Sequence, residues 1–240
     1  MNIPSITRSY DRAKKFLSDF ELLETENTSR PFSLNFNKFS SEFFDCFQSD
    51  NYSNIYATCL ENSDYDLLLK DGSFFQFSAL PNSPKSINIE RGNARFAYYH
   101  NPRFHYCYED FLTNVVLADE PELHMEEIGD LFAVEYEQYI SEAQLKKNVT
   151  PIRYDYDIKT YLPNKHALSH FHIGFNNDIR IATDKFIYPS TFVGFVIQHM
   201  YYTTWKEIHD LKYFFKSFEP ISLIDNDLFN EHDRNLIHIT

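Results

Sequence analysis

Three stretches of this 240-residue chain alternate apolar with polar side chains strictly enough to constrain its fold: residues 152–158, 170–175 and 179–181. Successive side chains of a strand point to opposite faces, so Ile152, Tyr154, Tyr156 and Ile158 turn one way and Arg153, Asp155 and Asp157 the other. The same parity separates Phe171, Ile173 and Phe175 from His170, His172 and Gly174. It also separates Arg180 from Ile179 and Ile181. If the three strands are neighbours in one sheet, the charged and imidazole side chains share one face over an apolar backing. That arrangement is a candidate site.

Around these strands the periodicity predicts a helix over residues 5–23, with Tyr10, Ala13, Leu17 and Phe20 inside. A second is predicted over 37–48, with Phe39, Phe43, Phe44 and Phe47 in a stripe. Asp71-Gly72 between residues 65–69 and 74–77 predicts a hairpin closed by a tight type I′ turn. Another hairpin is predicted from residues 87–89 through Gly92-Asn93 into 95–99. Residues 111–118 fit a strand or a short helix. Acidic residues at the start and basic ones at the end predict a long helix over 124–147. Residues 189–203 are apolar nearly all round and predict a buried helix opened by Pro189. Trp205, Ile208, Leu211 and Phe215 mark a further amphipathic helix, and the tail beyond Pro220 reads as polar and loosely packed. Together these imply one α+β domain over residues 1–240, with a mainly antiparallel sheet and helices packed on one face. Residues 1–50 form its helical N-terminal part, 60–182 the sheet with the long helix, and 189–217 the C-terminal helices.

Composition narrows the class. With 35 Asp and Glu against 22 Lys and Arg the formal net charge is −13, which repels a phosphate backbone at long range and argues against stable non-specific DNA binding. Such a surface also suits a partner protein. The first residues lack a basic head followed by an apolar core, and no run of the chain approaches the ~18 apolar residues of a membrane span. The expectation is a cytoplasmic protein. Cys46, Cys59 and Cys107 have no CxxC spacing and read as packing residues in a reducing compartment. The 24 Phe and 17 Tyr are read as core rather than as base-stacking platforms.

The charged strand faces admit two chemistries. In the first, His170 and His172 share general base and acid work on a phosphodiester, Arg153 and Arg180 clamp the phosphate, and Asp155 orients a histidine, with no metal required. In the second, His170 and His172, roughly 6.5–7 Å apart at Cα, bind one divalent metal, with Asp155, Asp157 or His166 completing the site. The architectural alternative is an ion-pair ladder with no chemistry. No Walker loop, GxGxxG, GxSxG or HExxH motif is present.

The segments 65–77, 96–103, 152–157, 169–174 and 179–181 together resemble the bacterial domain-of-unknown-function family 2290 over nearly the whole chain, a resemblance that implies no established activity. Arg153-Tyr154-Asp155 ahead of the paired histidines is also similar to small bacterial toxin ribonucleases, although the Asn that commonly follows their Asp is Tyr156 here. The expected function is a phosphodiesterase- or ribonuclease-like activity on RNA, in a toxin or an effector of anti-phage defence. The alternative is a non-catalytic acidic subunit that binds a partner protein in a defence or toxin–antitoxin complex.

Overall fold

The computed structural model describes residues 1–29, 32–46, 51–83, 85–103, 108–117, 131–142, 149–163, 165–175, 179–208, 222–224 and 238–239. The chain divides into two compact units, one formed by residues 1–100 with 150–240 and the other by residues 101–149.

The larger unit carries helices α1 (Ile3–Asp19), α2 (Ser41–Cys46) and α3 (Tyr52–Glu61). Its strands are β1 (Leu23–Glu26), β2 (Leu67–Leu69), β3 (Phe74–Leu80), β4 (Asn93–Tyr99), β5 (Ile152–Asp157), β6 (Ser169–Ile173), β7 (Arg180–Thr183), β8 (Lys185–Phe186), β9 (Ser222–Leu223) and β10 (His238–Ile239). Eight strands form one open sheet in the order β1-β2-β3-β4-β5-β6-β7-β10, antiparallel at every step except β7 to β10. β8 and β9 pair separately. The α+β class with a mainly antiparallel sheet holds.

The apolar parity of the strands makes the core. Phe75, Phe77, Phe96, Tyr98, Ile152, Tyr154, Tyr156 and Phe171 are all buried on the face that meets α1 and the later helix of residues 189–200. Ile6, Tyr10, Ala13 and Leu17 of α1 recur at helical spacing and are buried with them. The side chain of Asn2 caps α1 by accepting the Ser5 N–H at 2.9 Å. The helix stops at Asp19, short of the residue 23 expected. Glu21 takes a left-handed φ of 54°, and the Leu22 and Glu21 N–H groups donate to the carbonyls of Leu17 and Ser18. This closure releases the chain into β1.

Other expectations are corrected by local chemistry. The 37–48 segment is broken: Ser40 accepts the Phe43 N–H as an N-cap, so a turn at Phe36–Lys38 precedes the separate α2. The β2–β3 turn is not type I′, because only Gly72 has positive φ, at 79°, while its N–H donates to the Leu69 carbonyl. It is a type I turn followed by a left-handed glycine. The second hairpin joins β3 to β4 instead of residues 87–89 to β4. Residues 87–89 lie along the N-terminus, with Ile3 and Ile89 N–H groups donating to the Ile87 and Met1 carbonyls. Gly92 is required at this connection, since a Cβ there would lie 2.1 Å from the Leu80 carbonyl oxygen.

In the smaller unit α4 (Tyr108–Phe111) runs on as a π-helical turn over Leu112–Val116, which settles the 111–117 segment as helical. Tyr136 and Tyr139 of α5 (Ala133–Glu142) pack on Phe111. Leu131 and Phe132, within the expected 124–147 helix, form a turn instead, so the described helix starts only at Ala133; residues 124–130 and 143–147 lie outside the described residues.

The predicted 189–203 helix is α6 (Pro189–Met200), followed after Tyr201 by α7 (Tyr202–Glu207). Phe192, Val193, Val196 and Ile197 are buried, but Phe195 is half-buried and Gln198 and His199 are exposed, so the helix is one-sided. Ser9 and Ser190 bring α1 and α6 together through buried hydrogen bonds of 2.8 and 2.9 Å. Leu211 and Phe215 lie outside the described residues. The tail is not loose where it is described: β9 and β10 are strands, and Ile224 is buried. Among the described residues no helix is long and apolar enough to cross a membrane.

Candidate active site

The reverse face of the sheet is divided. Over β3 it is closed by α3, with Tyr56 stacked on Phe74 and Phe74 on Tyr99, ring centroids 5.5 and 4.8 Å apart. Ala97 and Tyr99 of β4 are buried there too, and beside them the polar parity of β5 to β7 stands along a cleft. Register places Arg153 opposite His172 and His172 opposite Arg180, and places Asp155 opposite His170. All five candidate residues therefore share one face, as does Asp157.

They line a cleft of about 390 Å³, whose wall also includes Phe36, Thr160 and His166. Arg95 joins them from β4, directly across from Asp155, with its guanidinium carbon 5.3 Å from the centre of the Phe36 ring. Sequence reasoning missed Arg95. The signal was present in the alternation of Arg95 and Ala97 against Phe96 and Tyr98, but only the pairing of β4 with β5 brings it to the site.

The centre of the cleft is a chain of short contacts. Arg153 donates from Nε and NH2 to Asp155 Oδ2, each at 2.8 Å. Asp155 Oδ2 lies 3.2 Å from His172 Nε2, which is 2.9 Å from His170 Nε2. His170 Nδ1 lies 2.9 Å from the Ala167 carbonyl oxygen, which only accepts. His170 therefore carries its proton on Nδ1 and presents a lone pair at Nε2. His172 in turn directs an Nε2–H toward both His170 and Asp155. The edge of His166 closes on His170, with ring centroids 4.9 Å apart.

Burial decides the charges. His170 is only 2% exposed, and desolvation lowers its pKa to about 4 against the opposing pull of Asp155, so the ring is neutral near pH 7. Burial pushes the Asp155 carboxyl up, but the hydrogen bond from His172 and the Arg153 and Arg95 guanidiniums outweigh it and hold the group well below the usual carboxylate range. Three guanidiniums then face two carboxylates in the cleft of a chain whose net charge is −13. The cleft is thus locally more basic than the acidic chain around it.

Asp157 has a different task. It accepts the Lys159 N–H at 2.9 Å and the Thr160 hydroxyl at 3.1 Å, and so holds the turn after β5. On the other side of Arg153 and His172 a smaller pocket of about 80 Å³ is lined by Tyr52, Tyr99, Gly174 and Phe175. Gly174, with φ of 88°, keeps the backbone open there.

The fold and cleft define an α+β protein with an imidazole, carboxylate and guanidinium cluster on one face of an antiparallel sheet. The chain belongs to the family described as an uncharacterized conserved protein, DUF2290, whose model matches residues 19–240. No curated protein and no solved structure matches it.

Proposed function

We propose that the cleft binds a phosphodiester and cleaves it, with RNA as the substrate class. The observation that carries this reading is the convergence of Arg95, Arg153 and Arg180 from three strands on a cleft that also holds two imidazoles. Guanidiniums match phosphate oxygens in shape and charge and stabilise the charge that builds up during displacement. Arg180, exposed at the rim, meets the substrate first. Because His170 and His172 touch through Nε2, they act on a bound group from one side, and with Asp155 they activate the nucleophile as a unit. A toxin or anti-phage effector is the cellular role such an activity would fit.

Cleavage of end-labelled RNA by the purified full chain tests the reading, with circular dichroism confirming the fold of each variant. Arg180→Ala is expected to lower the rate by about 100-fold with the fold intact. Undiminished cleavage by this variant and by His172→Gln would place the chemistry elsewhere. No cleavage by any form would favour the acidic partner-binding subunit, in which the Arg153–Asp155 and His170–Ala167 contacts serve architecture alone.

A further inference from the structure

We propose that Asp155, His170 and His172 hold one divalent metal ion of the zinc class, with the cleft as its open coordination position. The proposal deepens the hydrolytic reading of the same cleft, but its test is binding and does not depend on activity.

The donor atoms converge, and His172 would coordinate through Nε2 once its proton moves to Nδ1. His170 Nε2, His172 Nε2 and an Asp155 carboxylate oxygen all lie within 4.8 Å of one another. Two of the separations are 2.9 and 3.2 Å, whereas ligands of a tetrahedral zinc ion with bonds of 2.0–2.1 Å lie about 3.3 Å apart. For these two pairs a spreading of a few tenths of an ångström reaches that distance. The sheet supplies the rest: His170 and His172 are two residues apart on β6 and so share a face, and Asp155 stands across from His170 on β5.

The surroundings are those of a ligand set. The Ala167 carbonyl at His170 Nδ1 holds the ring in the tautomer whose Nε2 lone pair points into the cluster, the outer contact that ligating histidines ordinarily make. Arg153 fixes the carboxylate through Oδ2, leaving Asp155 further lone pairs for a cation. A third sign is His166, whose Nδ1 is buried without a hydrogen-bond partner among the described residues and whose ring lines the same cleft.

The donor chemistry selects the ion. Two imidazole nitrogens and one carboxylate suit Zn²⁺ and its neighbours Co²⁺ and Ni²⁺, while Mg²⁺ and Ca²⁺ prefer oxygen shells. The nearby guanidiniums weaken any cation, and most of all one held by charge alone. Three protein ligands beside a cleft leave a position for water, and a zinc-bound water loses its proton near neutral pH. The hydroxide would attack phosphorus while the ester P–O bond breaks and the leaving oxygen takes up a proton from solvent.

The test is calorimetric titration of the chelator-treated full chain with ZnCl₂ and, separately, MgCl₂, together with the visible absorption of the Co²⁺-loaded protein. One Zn²⁺ per chain with little Mg²⁺ binding is expected, with affinity at least ~100-fold weaker in His172→Gln and Asp155→Asn than in wild type. Intense Co²⁺ bands of a low-coordinate site should vanish in the same variants. Equal affinity in both folded variants, a preference for Mg²⁺, or no zinc binding by wild type would overturn the proposal. Zinc binding without RNA cleavage would leave the metal site and remove the nuclease reading. Full RNA cleavage in EDTA by a chain that binds no zinc would do the reverse.

Discussion

Two ion pairs, at β2–β3 and at β5, contrast the same chemistry in a closed setting and at the candidate site. Lys38 and Asp66 are about 5% and 4% exposed at the side chain, and their contacts are inward-looking. Lys38 Nζ bonds both Asp66 oxygens and the Ser33 and Phe77 carbonyls, while Asp66 accepts the Phe77 N–H. Arg153 and Asp155 are 29% and 20% exposed and line the cleft, and the carboxylate also faces an imidazole pair. The first pair ties the segment before α2 to the sheet. The second leaves both side chains partly exposed at the cleft. Burial with its partners inside the fold suits an architectural pair, and partial exposure beside titratable neighbours is what the proposed site requires.

The contrast is broken most directly by removing each carboxylate. Asp66→Ala strands a buried ammonium and is expected to cost about 3–5 kcal/mol, whereas Asp155→Asn leaves a guanidinium that can reach water and should cost about 1 kcal/mol. Urea denaturation of both variants decides it. A larger loss in Asp155→Asn would mean that the cleft cluster, too, is architecture.

Acid sharpens the same difference. In the metal-free protein the folded-state pKa of His170 is lowered from 6.5 to about 4, so between those values the unfolded chain binds more protons than the fold. Stability should therefore be steady above pH 6.5 and fall as pH drops toward 4, by about 1–3 kcal/mol. Asp155, whose carboxyl is held low, adds its loss at more acid pH. Melts at pH 7 and 4.5 measure the effect, and a folded His170→Gln variant should lose the part assigned to His170. An unchanged pH dependence in that variant would show that the imidazole is not the group responsible.

The smallest expected effect lies far from both pairs. Glu21 ends α1 in a left-handed conformation that favours glycine, so Glu21→Gly should raise stability by about 0.5–1 kcal/mol and leave zinc affinity unchanged. Destabilisation, read from the shift of the urea midpoint, would show that the Glu21 side chain contributes more than its backbone strain costs.

Much of the site was legible before the fold. Arg153, Asp155, His170, His172 and Arg180 share a face because side-chain direction in a strand depends on parity alone, and parity is a local property. The N-terminal and 189–200 helices were legible for a similar reason, each from its own apolar residues. The failures sit where distant chain segments decide. Arg95 reaches Asp155 only because β4 pairs with β5 across an inserted unit of about fifty residues, 101–149. The local pattern of residues 87–89 fits a hairpin arm, yet the main chain of the N-terminus takes up their hydrogen bonds. The parallel pairing of β10 with β7 likewise joins strands more than fifty residues apart.

What the sequence determined by itself was the two-sidedness of each strand and helix, since repeat periods of two and 3.6 residues are written into neighbouring positions. What the tertiary structure alone decided was proximity across the chain. It set which strands became neighbours, and it brought the His170 and His172 rings into contact under the hold of the Ala167 carbonyl. It also placed α3 over β3 and left a cleft beside it over β5 to β7. Those outcomes depend on the summed packing of residues far apart in sequence, and no local pattern encodes that sum.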